Sequence, residues 1–203
     1  MTRSSTPGWS ALVVSVLLSA VGTRPVLAQD VRLADRLPHG TAMAVQAIID
    51  SAAIDTLPAE PLIKKALEGQ SKGADSIHII AAVRGLLANL VSARGALGPA
   101  ATESDLVAGA AAIRAGASAA SLSALRTLRA QRPLGVPLSV YADLLTSGVA
   151  AERAWFEVRE LAERRAPDSE FLALRDRPAT RQGPGQRALP PATPTNGPEH
   201  PSP

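Results

Sequence analysis

The chain has 203 residues, no cysteine, 21 Lys and Arg against 18 Asp and Glu, and only 2% aromatic residues. Disulfides and thiolate chemistry are therefore excluded. The 46% hydrophobic content, much of it alanine, suits closely approaching helices better than strands, which draw on β-branched and aromatic residues. The net charge of +3 belongs to the two ends: Arg3, Arg24, Arg181 and Arg187 face only Glu199, and setting these aside leaves 17 bases and 17 acids over 29–178. A nucleic-acid binder needs a basic stripe, and none is written here.

Residues 1–28 read as a secretory signal peptide. Arg3 supplies the positive start, 11–21 (ALVVSVLLSAV) the apolar core, and Val26-Leu27-Ala28 the small or tolerated residues ahead of Gln29. A bilayer span needs about 20 apolar residues, and this run is interrupted by Gly22, Arg24 and Pro25. The expectation is export to the periplasm or medium, with no transmembrane span after cleavage. Lipoprotein processing would need a cysteine.

Residues 29–40 form a polar lead-in ending in Pro38-His39-Gly40. Thr41 is placed to cap a first helix through Ala53, with Met43, Ala47, Ile48 and Ile49 on one side. Pro58 and Pro61 start a second helix, where missing backbone N–H groups cost little. Leu62, Ile63, Ala66 and Leu67 make its apolar stripe, and Gly69 and Gly73 end it. Asp75 or Ser76 begins the longest helix, to about Leu97, with Ile77, Ile80, Val83, Leu87, Leu90 and Val91 as the buried stripe. Gly85 and Gly95 inside it imply a bend or a close helix crossing.

Gly98-Pro99 stops that helix, and Thr102-Glu103-Ser104-Asp105 resembles a capping box with Asp as its fourth member. Leu106, Val107, Ala110 and Ile113 follow, then Gly116 as a stop and Ser118 as a new start for Leu122, Leu125 and Leu128. Pro133, Gly135 and Pro137 mark a break before a helix over 138–147. Gly148 separates it from a helix over 150–164 carrying Ala154, Trp155, Val158 and Leu161. Pro167-Asp168 opens a last helix with Phe171, Leu172 and Leu174.

The predicted fold is all-α, seven to eight short helices over 41–178, arranged as helical-hairpin repeats or as a compact bundle. Breaks near 56, 73, 98, 116, 133, 148 and 165 fall mostly one helix plus a turn apart. Residues 179–203 hold seven prolines, three glycines and one large apolar residue, Leu189. Such a tail cannot bury enough surface to offset ordering, so disorder is expected, a plain solvated tail or, as the sharper reading, a Pro-rich tether or partner motif.

The segment LPAEPLIKKALEGQSKG at 57–73, followed by the long helix, resembles an uncharacterised group of exported bacterial proteins. That group shares an LPxEPLxxKALEGxxKG segment and helical, glycine-punctuated units. The resemblance implies an exported helical protein and carries no activity or functional residue. The chain departs from the pattern at Thr56 and Arg165, where glycine is usual.

Catalytic signals are sparse. His39, His78 and His200 do not share the spacing of a helical metal pair, and the chain has no nucleophile elbow, phosphate loop or dinucleotide fingerprint. No catalytic residue, metal or cofactor is expected. Glu60, Lys64, Lys65 and His78 are the weak candidates for a binding site, with Glu60 and Lys64 at the spacing of an ordinary ion pair. Trp155, Phe156 and Tyr141 should cluster in the core of the C-terminal half or, failing that, line a groove. The alternation of Arg153, Arg159, Arg164 and Arg165 with Glu152, Glu157, Glu160 and Glu163 reads as a solvated face. The favoured expectation is an exported, non-enzymatic interaction or scaffold module of the cell envelope, its partner a protein or envelope component. The alternative is an exported enzyme or accessory with a polar site assembled between helices.

Overall fold

The computed structural model describes residues 30–177. The signal peptide expected at 1–28 and the tail expected at 179–203 lie outside the described residues. Within them the chain is all-α, with nine helices and no strand: α1 (Val31–Arg36), α2 (His39–Ile54), α3 (Glu60–Ser71), α4 (Ser76–Leu97), α5 (Glu103–Arg114), α6 (Ala119–Leu128), α7 (Gly135–Thr146), α8 (Ala151–Glu163) and α9 (Asp168–Asp176).

The helix ends follow local chemistry. Asp75 and Ser118 accept hydrogen bonds from the His78 and Ser121 backbone N–H groups. Thr102 and Asp105 form the capping box in both directions. Pro61 sits in the first turn of α3, where no helical partner is lost. At the C-termini of α2, α3, α5, α7 and α8 one motif recurs: the N–H two residues past the cap reaches back five residues. These bonds run from Leu57 to Ala52, Ala74 to Gly69, Ala117 to Ala112, Val149 to Leu144 and Ala166 to Leu161, at 2.9–3.0 Å. This closure needs a left-handed residue in between. Gly73, Gly116 and Gly148 supply it, and so do Thr56 at φ 52° and Arg165 at φ 55°.

Several expectations are corrected. The lead-in contains α1, whose Leu33 is fully buried. α2 starts at His39 rather than after Thr41, and the buried Thr41 hydroxyl donates to Ser76 Oγ at 2.6 Å. The inner face of α2 is Ala42, Val45, Ile48, Ile49 and Ala52, whereas Met43 and Ala47 are exposed. On α4, Ile77 and Val91 lie outside and Ile79, Val83, Leu90, Ala93 and Leu97 inside. Gly69 lies within α3 instead of ending it. Gly85 and Gly95 meet no neighbour, and the close crossings are elsewhere. A Cβ at Gly69 would lie 2.9 Å from Ile79, and one at Gly109 would lie 3.0 Å from Leu97 and 3.3 Å from Leu122. α7 begins at Gly135, so Pro137 belongs to its first turn.

Each helix packs mainly on partners one or two positions away in chain order. α2, α4, α6 and α8 succeed one another in one layer, and α5, α7 and α9 in another, while α1 and α3 cover α2 and α4. α5, α7 and α9 start at Glu103, Gly135 and Asp168, and α6 and α8 at Ala119 and Ala151. A repeating step of this length, with successive units stacked, is the arrangement of a helical repeat array. The 22-residue α4 breaks the step.

Candidate functional site

The four candidate residues are not gathered into one site. Glu60 is held by Arg32 of α1 through two hydrogen bonds, 3.1 Å to Oε1 and 2.8 Å to Oε2. The Arg32 guanidinium holds the Glu60 carboxyl below its usual range. Lys64 stands 3.7 Å from Glu60 on the exposed side. Lys65 turns instead to Glu68 at 3.0 Å, and Lys72 pairs with the same carboxylate. Hydrogen bonds from Lys72 and then Lys65 pull the Glu68 carboxyl down to about 2. His78 lies on the surface, its Nδ1 2.8 Å from Asp75 Oδ1. The His78 backbone N–H, and after it the ring, lowers the Asp75 carboxyl. These are capping and ion-pair contacts of exposed helix ends, and only Glu60 and Lys64 come into mutual reach.

Of the buried polar groups the sequence singled out Thr41 and Asp105 as capping residues only, and Arg129 not at all. Arg129, at the end of α6, is 2% exposed. Its Nη1 donates to Ala166 O at 3.1 Å, and its Nη2 to Pro133 O at 3.3 Å and Asp168 Oδ1 at 2.7 Å. The guanidinium carbon sits 5.0 Å from the centre of the Phe171 ring, within cation–π range. One side chain thus joins α6, the turn before α7 and the start of α9. Asp105 plays a similar part: besides closing its own capping box, it accepts the Leu134 N–H at 2.9 Å. Arg94 spans from Pro99 O at 3.0 Å to Thr56 O at 3.1 Å. All three serve the stacking of one turn on the next.

Two surfaces are left uncovered among the described residues. The first is the outer face of α4, where Ile77, Ala81, Gly85, Ala88 and Val91 share one side and are all exposed. Exposed Met43 lies at the same end as Ile77, because the Thr41–Ser76 bond joins the starts of α2 and α4. By length and composition α4 is long and apolar enough to cross a bilayer. In this fold its inner side is packed by α2, α3, α5 and α6.

The second surface is a groove of about 410 Å³ between α6 and α8, with Tyr141 of α7 beneath it. Tyr141 and Trp155 are tilted by 48° with ring centres 6.0 Å apart. Phe156 does not join them. It projects to solvent under Arg159, which corrects the expected three-ring cluster. A smaller recess of about 250 Å³ lies over Leu128, Arg132 and Arg165. No family model matches the chain, and no curated protein or solved structure matches it.

Proposed function

We propose that this chain is an exported, non-enzymatic interaction module that binds another protein through the outer face of α4. The carrying observation is that face itself. On it the 22-residue α4 leaves Ile77, Ala81, Gly85, Ala88 and Val91 exposed, with Arg84 as the one charge among them. A contiguous apolar surface that no element of the described residues covers marks an interaction site more often than decoration. Alanine and glycine along it let a partner helix approach closely, since neither presents bulk.

The signal-peptide pattern of 1–28 supports export, and the resemblance at 57–73 points the same way. The alternative, a polar enzymatic site built from Glu60, Lys64, Lys65 and His78, would need these groups to converge. Their contacts run instead to Arg32, Glu68 and Asp75.

Affinity capture from envelope extracts, read by mass spectrometry, tests the reading when run beside Ala88→Glu. Ala88 is exposed, so the fold should tolerate the charge while the apolar face does not. The expected outcome is a protein captured by the native chain and lost with Ala88→Glu. An identical set captured by both chains would sink the proposal.

A further inference from the structure

The groove between α6 and α8 is a different surface from the face of α4, and its chemistry is specific. Ala120, Ser121 and Ala124 give it small walls, half-buried Trp155 gives it aromatic surface over the buried Tyr141 ring, and Glu152 stands on its rim. Glu152 and Trp155 lie three apart on α8 and so share a side of that helix. The ion pairs of α8 are Arg153–Glu157, Arg159–Glu163 and Arg164–Glu170. They leave Glu152 with no ion pair among the described residues. A shallow groove with one accessible aromatic ring and an acid at its edge fits an extended, proline-rich peptide carrying a nearby base. The ligand is already in the polyproline II form and loses little entropy, its rings stack on aromatic surface, and the base answers the acid.

This chain carries a proline-rich segment with a nearby base. Arg187-Ala188-Leu189-Pro190-Pro191-Ala192-Thr193-Pro194 sets a base three residues before a proline pair and closes with a further proline. The described chain leaves α9 already extended, with Arg177 at φ −61° and ψ 133° ahead of Pro178. At about 3.1 Å per residue, the stretch from Arg177 to Pro190 reaches about 40 Å. A domain of this size has a radius of gyration of only about 15 Å, so the groove is within reach. We propose that the groove binds this chain's own segment around Pro190 and Pro191, in cis, with Arg187 paired to Glu152.

The absence of native cysteine makes the test direct. Ala192→Cys in the full chain carries a nitroxide, and paramagnetic broadening is read on the ¹⁵N-labelled protein. The expected result is loss of the Ala120, Ala124 and Trp155 amide signals, recovered on reduction of the nitroxide, with α2 and α3 unaffected. Ala120→Leu, which fills the groove from an exposed position, and the double change Pro190→Ala with Pro191→Ala should each restore the signals. Undiminished groove signals, or broadening that survives both variants, would overturn the proposal. So would broadening seen only between separately labelled chains, which would assign the segment to a second copy. Ala88→Glu should leave the broadening intact, so this result stands or falls apart from the α4 face.

Discussion

At the scale of single residues, the left-handed positions carry the clearest consequences. Gly116 at φ 109° and Gly148 at φ 86° close α5 and α7 with open space around them. An Ala at either position meets no neighbour, but its backbone is strained, and each change should cost on the order of 1 kcal/mol. Thr56 and Arg165 already bear that strain, and their carbonyls are held by Arg94 at 3.1 Å and Arg132 at 2.9 Å. Thr56→Gly and Arg165→Gly should therefore stabilise by up to about 1 kcal/mol. Gly85→Ala, inside α4 with nothing near its Cβ, should stabilise by up to about 1 kcal/mol through helix propensity. Urea midpoints of the five variants decide the signs; a neutral Gly116→Ala and Gly148→Ala would show that the helix stops do not depend on glycine. Glu68 gives a pH signature. Its carboxyl falls from 4.5 to about 2 on folding, so its contribution is fully present above 4.5 and is lost as pH drops towards 2. Melting temperatures of the native chain and Glu68→Gln should thus converge as pH falls from 5 to 2, and parallel curves would refute the assignment.

At the scale of elements, the layers are joined less by loops than by a few polar side chains. Arg129 bonds to two carbonyls and a carboxylate while its stem and ring contacts stay out of water. Removing it leaves Ala166 O, Pro133 O and Asp168 short of a donor, so Arg129→Met should cost on the order of 3 kcal/mol. Lys has no fork to reach acceptors on three sides, so Arg129→Lys should recover little of this loss. Chemical denaturation of both variants checks the claim; full recovery by Lys would reduce Arg129 to a simple charge. The crossings follow equally local rules. Gly69 and Gly109 lie where α3 meets α4 and where α5 meets α4 and α6, because a side chain there would strike Ile79, Leu97 or Leu122.

At the scale of the whole molecule, the buried side chains of all nine described helices form one continuous core, and the stacked order should make stability largely a sum over neighbouring helices. A chain ending after residue 166 loses α9 with Phe171 and Leu174, and loses Asp168 as the partner of Arg129. It should keep the helicity of α1 to α8, measured as ellipticity per residue, while melting at a lower temperature. Collapse of helicity throughout would instead indicate a single cooperative bundle.

Most of the helices and many of their ends were legible in the sequence because they rest on contacts a few residues long, whereas α1 and the starts of α2 and α7 were not. The capping box at Thr102–Asp105, the prolines opening α3 and the glycines at 73, 98, 116 and 148 act within one turn, and the structure bears them out. Even the departures at Thr56 and Arg165 fell on left-handed residues. Which face turns inward was a different matter. α2 and α4 are apolar almost all round, so periodicity could not choose Val45 over Met43, or Ile79 over Ile77. That choice depends on what lies opposite, and hence on the order of stacking. The same holds for Arg129, which reads as an ordinary surface charge until Ala166 and Asp168, 37 and 39 residues on, close around it. Local free energies write the helices and their stops, whereas burial and the uncovered face of α4 exist only once distant segments meet.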